Sequence, residues 1–227
     1  MPKENPLHFK NVISASVQDM RNSLGQVLYK LDTLMAQHLK DEEKYDLVDA
    51  QYEIVRMQNV INQLHGLYLI ETDALTVQMQ DSYVLELLED TLASFEALLE
   101  NKQIDVEVSG EDISWYLDPH LIGSILQIIL LNAIRYTKDK IQISLERQDH
   151  GLMISVIDNG KGYPDSVLES FNALVSGEVI TGVSGQNAGW LYCEKIAKQH
   201  KNQGRVGFTR LGNDPVTGGG RIDLYIP

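Results

Sequence analysis

Along the first part of the chain apolar residues return every three or four places, at Val12 or Ile13, Val17, Met20, Leu24, Val27 or Leu28, Leu31 and Leu34 or Met35. At 3.6 residues per turn these positions fall on one stripe, which predicts a long amphipathic helix over about residues 9–39. After a charged turn at 40–44 the pattern resumes at Leu47, Ala50, Ile54, Met57, Ile61, Leu64 and Tyr68. This second helix is long enough to lie antiparallel to the first. Two helices alone cannot bury both stripes. Either a second copy completes a four-helix bundle, or the stripes pack on the rest of the same chain.

Beyond Thr72 the period changes. Alternation through Leu75, Thr76, Val77, Gln78 and Met79 predicts a short strand, and helical spacing returns from Tyr83 to Asn101. Residues 104–108 and 113–117 read as strands around a turn at Gly110. Asp118 followed by Pro119 marks a helix start, an N-cap with proline in the first helical position, and this helix carries Asn132. Residues 141–147 and 152–157 alternate on either side of Gln148-Asp149-His150-Gly151 and predict a hairpin. From Pro164 to about Asn187 the period fades, and Gly177, Gly182 and Gly185 point to a mobile lid. A helix over about 188–199 and strands near 206–211 and 221–226 complete the order. The fold class is α+β: a helical hairpin at 1–73, then a second domain at 74–227 in which helices cover a mixed sheet.

Composition narrows the chemistry. With 227 residues, 43% of them apolar, the chain has the material for ordinary buried cores. Lys and Arg total 19 against 32 Asp and Glu, a formal charge of −13, so there is no basic footprint for nucleic acid. The single cysteine, Cys193, excludes an intramolecular disulfide and a cysteine zinc cluster and fits a reducing compartment, the cytoplasm. With Trp190 and Ile196 it lies on one side of its helix, a core-packing pattern. No apolar run is long enough to predict a membrane span.

The strand over 152–157 empties into Asp158-Asn159-Gly160-Lys161-Gly162. Two glycines let the backbone approach a flat ring, and the aspartate offers a carboxylate to an exocyclic amine. The same residues also read as an ordinary turn. Asn132 sits late in an apolar helix with Arg135 and Tyr136 one turn on, where an amide oxygen suits a metal and a guanidinium suits phosphate; a polar helix end with cations for its dipole is the plainer reading. Gly185 to Gly189 opens a helix whose free amides attract phosphate.

Taken together, Asn132 to Thr137, Asp158 to Gly162, Gly185 to Gly189 and Val17 to Leu24 resemble the core of two-component sensor histidine kinases. The resemblance implies a dimerising, phosphoaccepting helical hairpin and a gyrase-like ATPase domain. It implies ATP with Mg²⁺ as cofactors, Asn132 as the metal ligand, Asp158 as acceptor for the adenine amino group, and Arg135, Tyr136, Gly160, Gly162, Gly185 and Gly189 around the nucleotide. It further implies a homodimer and a response-regulator receiver domain as partners.

The chain departs from that family at four places. Gln18 stands where the phosphoacceptor histidine belongs, followed in pattern by Asp19 and Asn22; a carboxamide nitrogen, its lone pair delocalised, is a very poor nucleophile. Ile128 occupies the place of a second Asn, Asn187 that of the middle glycine, and no Lys or Arg occurs between Lys161 and Lys195. The expected function is a histidine-kinase core whose autophosphorylation is blocked at Gln18. The alternatives are a pseudokinase scaffold and a regulator phosphatase that orients water with Asn22.

Overall fold

The computed structural model describes residues 6–36, 41–177 and 185–227. They fall into two compact units, Met1–Ala74 and Leu75–Pro227. Among the described residues no helix is long and apolar enough to cross a membrane.

The first unit is a pair of helices, α1 (Pro6–Met35) and α2 (Asp41–Glu71). The end of the first helix expected beyond Met35 lies outside the described residues, and the charged turn expected at 41–44 is already helix. Gln51 meets Asp32 near the connection and Arg21 meets His65 farther along, the register of an antiparallel pair. On α1 the seam follows the expected stripe, with Val17 buried and Ile13, Leu24, Leu28, Leu31 and Met35 half-buried, but on α2 it does not. On α2 the buried positions are Val48, Asn59, Gln63 and Gly66, whereas Met57 and Leu64 of the expected stripe are 51% and 57% exposed. The apolar stripe of α2 turns away from α1. Met20, Val27 and Leu34, seven residues apart on α1, are likewise exposed.

In the second unit the expected strand at 75–79 is absent. Instead β1 (Gln80–Tyr83) pairs antiparallel with β3 (Ser114–Leu117), while the main chain before it docks through the Gln78 N–H on the Asp118 carboxylate at 2.7 Å. The helix expected over 83–101 is two, α3 (Val84–Ala93) and α4 (Glu96–Lys102), interrupted at Phe95, which leaves the helical region at φ −113° and ψ 4°. Nor do residues 104–117 form a hairpin: β2 (Asp105–Gly110) pairs in parallel with β4 (Lys140–Gln148). Helix α5 (Pro119–Tyr136) starts where the cap predicts, the Asp118 carboxylate accepting from the His120 and Leu121 N–H groups at 3.0 Å each.

The expected hairpin of β4 with β5 (Gly151–Asp158) is present, Gln148 opposite Gly151. Residues expected to form a lid include a helix, α6 (Asp165–Ser176); 178–184 lie outside the described residues. Helix α7 (Gly185–Ala197) follows, then the short pair β6 (Lys201–Asn202) and β7 (Arg205–Val206), and β8 (Phe208–Asn213) with β9 (Gly220–Ile226). The five-stranded sheet runs β2-β4-β5-β9-β8, antiparallel except for the β2–β4 pair. Its inward residues alternate: Ile141, Ile143 and Leu145, then Leu152, Ile154 and Val156, then Ile222, Leu224 and Ile226, all buried. Over them lie α5 and α7, which share the Ser124–Tyr192 hydroxyl hydrogen bond of 2.8 Å. His200 closes the layer, its Nε2 accepting from the Asp118 N–H and its Nδ1 lying 3.1 Å from the Ile196 carbonyl oxygen.

Candidate functional site

A strand period of two carries the inward face of β5 from Leu152, Ile154 and Val156 to Asp158, so a carboxylate arrives where apolar residues have just ended. Asp158 is 5% exposed, and its Oδ1 accepts from the Gly160 N–H at 2.7 Å. Burial pushes its carboxyl above the usual range, against the pull of the Gly160 and Gly220 backbone donors.

The loop leaving Asp158 is fixed from both sides. The Asn159 side-chain oxygen accepts from the Thr137 hydroxyl at 2.9 Å and from the Lys138, Asp139 and Lys140 N–H groups at 3.1 Å each, while its nitrogen donates to Asp139 at 2.7 Å. This ties the end of β5 to the end of α5. So close is the approach that a Cβ at Gly160 would overlap the Tyr136 carbonyl oxygen, and Gly162 at φ +72° adopts a backbone that side chains disfavour. On the far side Asn213 pairs with the Tyr163 main chain, accepting from its N–H at 2.6 Å and donating to its carbonyl at 3.0 Å. Thr217, held by the Asp214 carboxylate, donates to the Asp158 carbonyl at 3.3 Å.

Beside this loop lies a cavity of about 300 Å³. Asn132 and Tyr136, one turn apart on α5, form one wall, and Asp158 with Gly162 and Gly220 another. Tyr163, Val167 of α6 and Trp190 of α7 supply apolar surface. Trp190 stands edge-on to Tyr163 at 6.2 Å and to Phe171 at 6.5 Å, which fixes its ring. Burial, and then the nearby Asp158 and Tyr136, push the Tyr163 phenol above its usual range, so it stays neutral and apolar in character.

The fold thus gathers Asn132, Tyr136, Asp158 and Gly162, with Gly160 next to them. Arg135 does not join: it is exposed, its guanidinium 5.4 Å from the Tyr136 ring centre. Gly185 begins α7, and Gly189 is buried within it and is not among the described residues lining the cavity. Gln18, Asp19 and Asn22 belong to the helical unit and are exposed on α1, where Gln18 Nε2 donates to Asn22 Oδ1 at 3.1 Å. The sequence reading missed Tyr163, Val167 and Gly220 as lining residues, and it placed Trp190 in the core alone. Trp190 is buried and lines the cavity as well; an indole two turns of chain beyond a lid has no local signal to separate the two roles. Cys193 is fully buried, its thiol pushed up by that burial, in keeping with packing.

Residues 117–227 match the family described as histidine kinase-, DNA gyrase B-, and HSP90-like ATPase. The same residues hold the cavity, the Asp158 loop and α7. Among curated relatives, sensor histidine kinase CssS of Bacillus subtilis is 31% identical over 152 residues, 63% of this chain and 32% of its own. Adaptive-response sensory kinase SasA of Crocosphaera subtropica is 27% identical over 218 residues, 88% of this chain and 57% of its own. The resemblance to a two-component sensor histidine-kinase core is borne out. In fold this core is similar to the Acinetobacter baumannii histidine kinase AdeS, with a TM-score of 0.60 at 20% identity over 90% of this chain and 95% of that one. It is also similar to full-length ShkA, solved in complex with AMPPNP, with a TM-score of 0.64 at 16% identity over 96% of this chain and 45% of that one. The core spans about a third to a little over half the length of these curated relatives.

Proposed function

We propose that this chain is a nucleotide-binding histidine-kinase core that does not phosphorylate itself at position 18 and serves a response regulator as a dimeric docking platform. The observation that carries the reading is the bond from Gln18 Nε2 to Asn22 Oδ1. Position 18 presents a carboxamide, without a nitrogen lone pair to attack phosphorus, and that carboxamide is already engaged along its own helix. The phosphatase alternative ranks second for the same reason. Asn22 would orient water through its amide oxygen, and Gln18 occupies that oxygen.

Asp158 suits the amino group of adenine, being a buried carboxylate in a cavity lined by Tyr136, Tyr163 and Trp190. The residues do not suit the family's magnesium equally well. Asn132 offers a single neutral oxygen, its nitrogen donating to the Ile128 carbonyl at 2.8 Å, and among the described residues no three His, Cys, Asp or Glu side chains converge on a metal site. Dimerisation follows from the outward apolar residues Met20, Val27 and Leu34 of α1 with Met57, Val60 and Leu64 of α2, which a second hairpin would cover.

The test is acid-labile phosphate. Incubated with γ-labelled ATP, the protein should remain blank and Gln18→His should gain label, since the imidazole would have Asp19 beside it and Asn22 one turn on. Self-labelling of the Gln18 protein at α1 would overturn the reading.

A further inference from the structure

Resting on the adenine assignment above, we infer that the cavity recognises the base and gains little from the phosphate chain, so that adenosine binds nearly as tightly as ATP and magnesium alters neither. The two ends of the site are built differently. At the base end stand a buried carboxylate, with Oδ1 held by Gly160, and the edge-locked rings of Tyr163 and Trp190. These contacts need only a planar heterocycle that carries an amino group.

At the other end the means of holding a polyanion are few. Among the described residues lining the cavity Lys161 is the one cation, and it is exposed, where water screens its charge. Arg135 is exposed, its guanidinium 5.4 Å from the Tyr136 ring centre, and it is not among the described residues lining the cavity. Asn132 has its amide nitrogen bonded to the Ile128 carbonyl, and Ile128 itself, one turn earlier, is 4% exposed and apolar. No stretch from 162 to 194 contains Lys or Arg, so no segment crossing there brings a positive side chain. Were the first turn of α7 to face the phosphates, its helix dipole would supply the equivalent of roughly half an elementary charge. Against it stands a chain of net charge −13, which repels an approaching triphosphate.

The experiment is a calorimetric titration of the full chain with adenosine, with ATP, with ATP plus Mg²⁺ and with guanosine, followed in parallel by Trp190 fluorescence in a Trp115→Phe background. ATP should bind less than about tenfold tighter than adenosine, Mg²⁺ should change affinity by less than about threefold, and guanosine should be at least about tenfold weaker. Asp158→Asn, checked for folding by its melting curve, should lose adenosine and ATP by the same factor. A larger ATP preference or a larger magnesium effect overturns the inference while leaving the adenine site standing. If neither adenosine nor ATP binds, the adenine assignment falls as well.

Discussion

The two units solve the problem of burying apolar surface in opposite ways. In the sheet unit, α5 packs between α3, α7 and β5, and its Ile122, Ile125, Leu126, Ile129 and Leu130 are essentially inaccessible. In the hairpin, Asn59 and Gln63 are among the most buried side chains, with Asn59 Nδ2 unpartnered, while Met57 and Leu64 face outward. The sheet unit closes its own core; the hairpin leaves Met20, Val27, Leu34, Met57, Val60 and Leu64 exposed. Stability of the first should therefore be a property of one chain, and on the dimeric reading proposed above stability of the second should depend on concentration.

The largest effect should come from the closed core. Leu130→Ala removes a fully buried side chain and should destabilise the sheet unit by about 2–5 kcal/mol in a denaturant titration, independent of protein concentration. Next, Leu64→Glu places a charge on the outward stripe, and light scattering should show the dimer dissociation constant rise at least about tenfold, with the melting of the sheet unit unchanged. A protein that is monomeric before mutation at tens of micromolar (a concentration set by about −6 to −7 kcal/mol of association) would remove the contrast. Third, Asp158→Asn should weaken adenine nucleotide by about 1–3 kcal/mol, read by calorimetry, because a donor then faces the amino group.

The smallest effect is a pH slope. His200 is buried with both ring nitrogens engaged, and burial lowers its pKa below the ordinary 6.5, partly offset by the Ile196 carbonyl and Asp118. The unfolded chain then binds the proton more readily than the folded one. His200 stabilises the sheet unit fully above pH about 6.5, and that contribution is lost as pH falls from there through the lower folded pKa, at no more than about 1.4 kcal/mol per pH unit. His65, lowered by burial and by Arg21, carries the same sign in the hairpin. Melting curves of His200→Gln between pH 7 and 5 should lose most of the slope in the sheet-unit transition (about one proton's worth).

What the sequence disclosed follows from which interactions are local. The Asp118 cap, the β4–β5 hairpin and the approach of β5 to Asp158 are written in adjacent residues, and the structure has them where spacing places them. The parallel pairing of β2 with β4 is not so written, because its partners are thirty-five residues apart across α5 (Asp105 opposite Lys140). The α2 stripe misled for a physical reason: apolar spacing identifies a buried face without naming what buries it, and here the neighbour in the chain takes the more polar side. Within the site, Asp158 and Gly162 stand in a recognisable string, whereas Asn213 grips Tyr163 from fifty residues away. Arg135 shows the reverse limit. Its spacing allows a place in the cavity, but its side chain is exposed and is not among the described lining residues.

Asn159 precedes Gly160, and in a loose chain such a pair ages: the glycine nitrogen attacks the asparagine side-chain carbonyl, a succinimide ring forms and ammonia leaves. Here the Gly160 N–H is turned to Asp158, and the Asn159 amide is bonded through both its oxygen and its nitrogen. The ring cannot close without first undoing that staple. Slow mass gain at this one dipeptide would therefore act as a clock for opening of the loop, and a bound adenine, by holding Asp158 in place, would slow the clock.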